Sequence, residues 1–405
     1  MTFILSLYKE AFSNLQRNIW ILAISMFINR SGSMVLLFTS LYLTNELNFS
    51  IVNAGLVLSF YGIGSVLGSY LGGWLTDRRS HFDIMVFSLI LSGFILLFLL
   101  VVTTPIAISV VIFFYALSAD MFRPANSAAI ADYTTATDRT RSVSLVRLAV
   151  NLGFSVGPAV GGFVALYLGY KWLFVIDAFT SFAAAIMLYM YLPRKKSEQN
   201  RHKNEVLADS STSAYRDYRY LIFILLVALY GVCFFQLFAS MPQFFNTVCH
   251  YSEDTIGLLL ALNGLLVVII EMPLITALEK KKLIFRYIII GVICLPISFL
   301  ILQFGQGIML FAILYTLMIT MSEIYAMPFM FNYAISRPPK ERQGQYSALY
   351  SISYGLANIA APLVGLGIAG KYGFNTMFYF FIALSILVAI GFSLLGKNQG
   401  VKSID

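Results

Sequence analysis

Charged side chains are scarce in this chain. Asp, Glu, Lys and Arg make up 11% of its 405 residues, where an ordinary soluble domain carries roughly a quarter. So few charges cannot cover a surface of this size in water. With 59% hydrophobic residues and a mean hydropathy of +0.81, the chain is expected to be an integral membrane protein. Histidine is also rare: His81, His202 and His250 are too scattered for a metal site. The three cysteines, Cys233, Cys249 and Cys294, provide neither a disulfide framework nor metal-ligand spacing. No phosphate-binding loop of the form GxxxxGK[ST] occurs, which argues against ATP-driven pumping. No His/Ser/Asp constellation gathers at one face, so an enzyme is not expected, nor is a cofactor.

What the chain has instead is long apolar runs. Buried in lipid, a backbone must satisfy its own polar groups, and repeated helical spans are the default solution. A transmembrane barrel would show short alternating segments. Roughly 20 apolar residues cross a bilayer as helix, and on that basis twelve spans are expected, at 18–44, 52–76, 83–103, 106–131, 143–168, 172–192, 220–247, 255–278, 285–303, 307–334, 345–369 and 373–395. The N-terminal stretch MTFILSLYKEAFSNLQRN is amphipathic and lacks a small-residue cleavage site, so it reads as a surface helix rather than a signal peptide.

The basic residues set an orientation. With both termini cytoplasmic, all of the 27 Lys and Arg except Lys171, Lys371, Arg30 and Arg123 fall on the inner side, as the positive-inside rule requires. Topology thus accounts for the net charge of +8, and no nucleic-acid partner is expected. One polar, basic loop stands apart, PRKKSEQNRHKNEVLADSSTSAYRDYR at 193–219. It divides the chain into a six-span bundle at 1–192 and another at 220–405, and reads as a flexible tether. The halves also resemble each other. At an offset of 204, Ser118 falls on Ser322, Pro124 on Pro328, Leu145 on Leu349, Pro158 on Pro362 and Gly161 on Gly365. Parallel repeats about an axis along the membrane normal are a transporter architecture.

Two motifs narrow this further. GGWLTDRRSHFD begins at Gly72, at the end of the second span, and NLGFSVGPAVGG occupies 151–162 in the fifth. Gly153, Gly157 and Gly161 lie four apart on one helical stripe, where small residues let two backbones approach closely, and Pro158 removes a backbone hydrogen bond and bends the span. With twelve spans, a central basic loop and a duplicated half, these features resemble the major facilitator superfamily. The first motif is similar to its loop signature G-x-L-x-D-R-x-G-R, matched at Gly73, Leu75, Asp77 and Arg78; Ser80 replaces the second glycine, and His81 stands where Arg or Lys is usual. The second is similar to the span-five signature of proton-coupled exporters, matched at Gly153, Gly157, Pro158, Gly161 and Gly162. The resemblance implies an all-α membrane protein with two pseudo-symmetric six-helix bundles. It also implies a conformational gate at Gly73, Asp77, Arg78 and the span-five glycines, with the bare stripe serving as a surface on which one bundle rocks against the other. His81 is expected to weaken the usual charge relay to Asp132, with Arg141 or Arg147 compensating.

Ionisable groups within the spans are functional candidates by default. They are Arg30, Asp120, Arg123, Asp177, Glu271 and Glu323. At 1.5 Å per residue, Arg30, Asp120, Glu271 and Glu323 lie roughly 18–24 Å deep, while Asp177 sits near its span end and is expected to see water. The resemblance places spans one, four, seven and ten around a central cavity, so Arg30, Asp120, Arg123 and Glu323 would face it with Asn29, Gln236 and Gln243, and Glu271 would lie where the halves meet. Asp120 and Arg123, three apart, are expected to form a compensated pair joined by Arg30; an ion-pair lock between spans one and four is the structural reading of the same trio. Apart from Arg286 at the basic edge of the ninth span, no cation lies in the spans of the second half, and withdrawal from water favours the neutral form of a carboxyl, so Glu323, then Glu271, then Asp120 are the candidate proton carriers. The expected function is alternating-access export of an amphipathic small molecule, drug-like or a metabolite such as a siderophore, in exchange for protons. The alternative is proton-symport uptake of a nutrient such as a peptide or organic acid. The expected setting is the cytoplasmic membrane of a bacterium, with the protein acting as a monomer.

Overall fold

The structure, a computed structural model, describes residues 15–32, 34–76, 78–134, 139–194, 214–279, 283–337 and 343–397. Among these, twelve helices are long and apolar enough to cross a membrane: Arg17–Glu46, Ile51–Thr76, His81–Phe98, Pro105–Tyr133, Arg141–Leu168, Lys171–Tyr191, Tyr218–Thr247, Glu253–Ile275, Ile284–Phe304, Met309–Ser336, Gln345–Tyr372 and Phe374–Lys397. They are called spans one to twelve below, and the end of each at which Lys and Arg cluster in sequence is its basic end. No strand occurs among the described residues.

Local sequence explains several helix ends. Span four opens at Thr104-Pro105, where the threonine hydroxyl accepts from the Ala107 N–H and proline occupies the first turn, the position where its missing N–H costs nothing. Span seven opens after Asp217, whose carboxylate accepts from the Tyr220 N–H at 3.1 Å. Within the spans, hydroxyls bond back to the preceding turn, as Thr316 does to the Ala312 carbonyl and Thr320 to the Thr316 carbonyl. That habit lets a polar residue sit in an apolar helix with its hydrogen bond satisfied.

Packing relies on small residues. Gly64, Gly68 and Gly72 of span two face the backbone of span four, and a Cβ on each would lie 2.3 Å from the Phe113 carbonyl oxygen, 2.2 Å from that of Leu117 and 2.6 Å from the Met121 Cα. Lipid supplies little hydrophobic drive between helices, so this close backbone approach is itself a source of cohesion.

The chain forms two compact units. One comprises Met1–Tyr42, Phe60–Gln199 and Ser252–Leu265; the other comprises Leu43–Ser59, Asn200–Tyr251 and Leu266–Asp405. The first turns of span eight therefore pack with the first unit, and the first turns of span two with the second. Bare backbone explains both. A Cβ on Gly257 would meet the Pro158 carbonyl oxygen at 2.3 Å, and one on Gly55 would meet that of Pro362 at 2.7 Å.

Candidate functional site

Three spans are interrupted within their length. Span one runs as α-helix over Arg17–Gly32, resumes at Val35–Leu41 and widens to a π-turn over Tyr42–Glu46. Span four breaks at Met121, between Pro105–Asp120 and Phe122–Tyr133, and span seven divides into Tyr218–Phe234, Gln236–Ala239 and Met241–Thr247. Span ten stays one helix over Met309–Ser336, with Pro328 inside it. A break frees backbone groups that must find partners where water is scarce. In span seven Gln236 supplies them: its amide donates to the Val232 carbonyl at 2.9 Å and the Ala361 carbonyl at 3.0 Å, and its Oε1 accepts from the Ser240 hydroxyl at 2.6 Å. Gln236 is fully buried, and these contacts make it a brace between spans seven and eleven.

The charges of the first half are arranged differently from the compensated trio. Asp120 is 5% exposed, whereas Arg123 is exposed. No ion pair joins Asp120 to Arg123 or Arg30 among the described residues, although all three lie within electrostatic range of Tyr61 on span two. Arg30 lies instead over the Phe154 ring, 5.6 Å from its centroid, in a cation–π arrangement. It is also within electrostatic range of Asp177. Asp177, expected to see water, is 1% exposed. Its carboxylate accepts from the Tyr115 hydroxyl at 3.2 Å, and the Val35 N–H lies near it. Phe174, one turn nearer the span end, packs edge-on against Tyr42 at 5.0 Å between centroids. Depth along a helix did not reveal the burial of Asp177.

In the second half, Glu323 is half-buried on span ten. The Tyr230 hydroxyl of span seven stands 3.2 Å from Ser322 Oγ, and Glu323 is within electrostatic range of Tyr230 and of Tyr354 on span eleven. Tyr350 donates to the Tyr354 hydroxyl at 3.4 Å. Glu323 thus stands among phenols from two neighbouring spans, none of which was singled out in the sequence. Glu271 is buried on span eight, two residues before Pro273 in the same helix. Asn29, Glu271 and Glu323 each interact with a neighbouring group.

The gating residues divide between two surfaces. The stripe Gly153, Gly157, Gly161 packs on span one, not on the opposite half: Cβ atoms there would lie 2.6 Å from Arg30 Cβ, 3.1 Å from the Ser31 carbonyl oxygen and 2.9 Å from Met34 Cβ. Ser155, Pro158 and Gly162, on an adjacent face, meet the first turns of span eight, where the Ser155 hydroxyl donates to the Ala261 carbonyl at 3.1 Å and a Gly162 Cβ would lie 2.4 Å from the Glu253 carbonyl oxygen. Gly73 has only an ordinary 4.0 Å neighbour in Pro124, and it is Gly72 that touches span four. Asp77 lies outside the described residues. Arg78 is exposed and stacks over Trp74 at 3.6 Å. His81, 2% exposed, does reach Asp132, Nδ1 to Oδ2 at 3.1 Å, so the relay geometry survives the loss of the usual Arg or Lys. Arg141 and Arg147 are engaged with neighbours too.

One cluster at the basic ends of the second half escaped the sequence reading. Arg337 meets Asp217 two-pronged, Nε to Oδ2 at 2.7 Å and an Nη to Oδ1 at 2.8 Å, and donates to the Tyr333 hydroxyl at 2.7 Å. The Tyr346 hydroxyl donates to Asp217 at 3.1 Å. Partial burial pushes the Asp217 carboxyl up, but the Arg337 hydrogen bonds, the Tyr220 N–H, the Arg337 charge and the Tyr346 hydroxyl together hold it below its ordinary value. The helix-capping position of Asp217 was the one signal visible in sequence; its partners lie about 120 residues away.

The comparisons agree with this architecture. A Major Facilitator Superfamily family model matches residues 19–362. Multidrug resistance protein 2 of Bacillus subtilis (strain 168) is 22% identical over 85% of this chain and 86% of its own. A Na(+), Li(+), K(+)/H(+) antiporter of Planococcus maritimus is 23% identical over 89% and 91%. The crystal structure of a POT family transporter in complex with 5-aminolevulinic acid shares the fold, with a TM-score of 0.81 at 13% identity, covering 96% of this chain and 98% of that one. With twelve helices of spanning length and the family model matched over most of its length, the chain belongs to the Major Facilitator Superfamily of transporters.

Proposed function

We propose that this transporter exports an amphipathic small organic molecule, a drug-like compound or a metabolite such as a siderophore, in exchange for protons. It works as a monomer in the cytoplasmic membrane of a bacterium, with the basic ends of its spans in the cytoplasm. The observation that carries this reading is Glu323 among Tyr230, Tyr350 and Tyr354. A carboxyl within a span is costly unless it is used, and tyrosines offer an apolar ring with a polar tip, which suits an amphipathic guest. Proton binding at Glu323 removes the negative charge that holds either the guest or a neighbouring phenol, so substrate and proton compete for one state of the site. Glu271, buried on span eight, is the second carrier in this scheme, and Asp120 the third. Arg30, Arg123 and Asn29 are the candidate polar contacts of the first unit. The names of the Bacillus and Planococcus relatives support export and proton exchange respectively.

The test uses inside-out vesicles with an acid interior. Accumulation of the amphipathic dye Hoechst 33342 is expected, together with its loss on collapsing the gradient and in Glu323→Gln. Transport that ignores the gradient rejects proton coupling; a normal Glu323→Gln rejects the carrier assignment. The Planococcus relative favours one second reading, exchange of monovalent cations for protons. In that case added Na+ or K+ dissipates the gradient in the same vesicles, and the dye does not accumulate.

A further inference from the structure

Asp177 is the most enclosed carboxylate among the described residues, and the scheme above leaves it unused. It sits on span six, where the two parts of span one meet. Gly32, the last residue of the first helix of span one, lies so close to span six that a Cβ would overlap Thr180 Oγ1, and that hydroxyl donates to the Asp177 carbonyl at 3.0 Å. Val35, the first residue of the resumed helix, brings its N–H near the carboxylate, and Tyr115 donates its hydroxyl from span four. The charged and titratable groups around it are few. Arg30 comes from span one; Tyr61 comes from span two, its ring centroid 6.2 Å from that of Tyr115. Span three has no titratable residue from Ile84 to Phe98, and span five none from Leu148 to Leu166.

We propose that Asp177 binds and releases a proton, and that its charge state sets the geometry of the break in span one. As an anion it accepts from Tyr115 and attracts the N–H of Val35, and bonds to an ionised acceptor are the stronger kind. When a proton from water adds, one oxygen becomes a donor, the other keeps the capacity of a neutral carbonyl, and the attraction to Arg30 is lost. The only bond made or broken is O–H. The consequence travels along the chain, since the helix that Val35 begins continues into the π-turn Tyr42–Glu46. There Thr44 and Asn45 hydrogen-bond Gln243 and Asn246 at 3.1 and 3.0 Å. The part of this inference that links the proton to transport rests on the proton-coupled reading; protonation itself does not.

Infrared difference spectra of the full chain in lipid nanodiscs, recorded across pH, test it. A carboxylic-acid carbonyl band should titrate in the wild type, be missing in Asp177→Asn and shift in frequency in Tyr115→Phe. Amide exchange in 35–46 should quicken about five- to tenfold in Asp177→Asn, the scale of one weakened hydrogen bond. Identical bands in wild type and Asp177→Asn overturn the proposal. If that variant does not fold, an unshifted spectrum for Tyr115→Phe does the same. Gradient-driven dye transport without an Asp177 band refutes this assignment alone; gradient-independent transport with the band present refutes the coupled cycle alone.

Discussion

Asp217 caps span seven and, through Arg337, ties it to the end of span ten. Its carboxyl is held below the ordinary value, so the folded state favours the anion more than the unfolded state does. The resulting stability is fully present above the unfolded carboxyl value of about 3.9 and fades as pH falls through the lower folded value. In detergent, melting temperature should therefore decline below about pH 4 in the wild type and vary less over that window in Asp217→Asn. At neutral pH the same variant should lose about 1–3 kcal/mol, the usual effect of stranding one partner of a part-buried pair; an unchanged melt at both pH values would disprove the assignment. Residue identities and their positions within spans were readable in advance at this scale, which is how Arg30, Asp120, Glu271 and Glu323 came to attention. Their partners were not. Asp120 and Arg123 share helical spacing, yet one is buried and the other exposed. Asp177 lies near a span end but is buried, with the Tyr115 hydroxyl of span four on its carboxylate.

For single elements, glycine patterns state that a helix expects close company without naming the companion. Gly153, Gly157 and Gly161 are matched to span one, and Gly64, Gly68 and Gly72 to span four. The consequences differ by position. Gly68→Ala would drive a methyl to within 2.2 Å of a backbone carbonyl oxygen; backbone cannot swing aside, so the variant should lose about 1–3 kcal/mol and melt earlier. Gly367 also lies within a helix, but nothing stands within 4 Å of its missing Cβ. Gly367→Ala should be neutral or gain about 0.5–1 kcal/mol from the stiffer helix. Equal melting temperatures for the two variants would mean that close packing is not what these glycines provide. The breaks in spans one, four and seven were only partly marked in the sequence. Pro124 lacks the N–H that would bond the Asp120 carbonyl, and Pro242 opens the last segment of span seven, whereas only Gly32 marks the break in span one.

Across the whole molecule, the distribution of Lys and Arg predicts a definite sidedness. In a variant lacking Cys233, Cys249 and Cys294, a cysteine at the exposed Lys397 position should react with a membrane-impermeant maleimide only in inside-out vesicles, and one at Lys171 only in intact cells. The reverse pattern would invert the orientation and with it the direction of the proposed export. The number of spans, their helical nature and the family were determined by sequence alone. Each follows from chain-local quantities: the length of apolar runs, the rise of a helix, the spacing of Pro and Gly, and the side on which cations accumulate. Tertiary structure alone decided which polar groups meet. It set Glu323 among tyrosines of spans seven and eleven, enclosed Asp177 at the break in span one, and gave the first turns of spans two and eight to units outside their own halves. Those outcomes depend on how close two backbones come and where a helix breaks, and both are settled by neighbours distant in the chain.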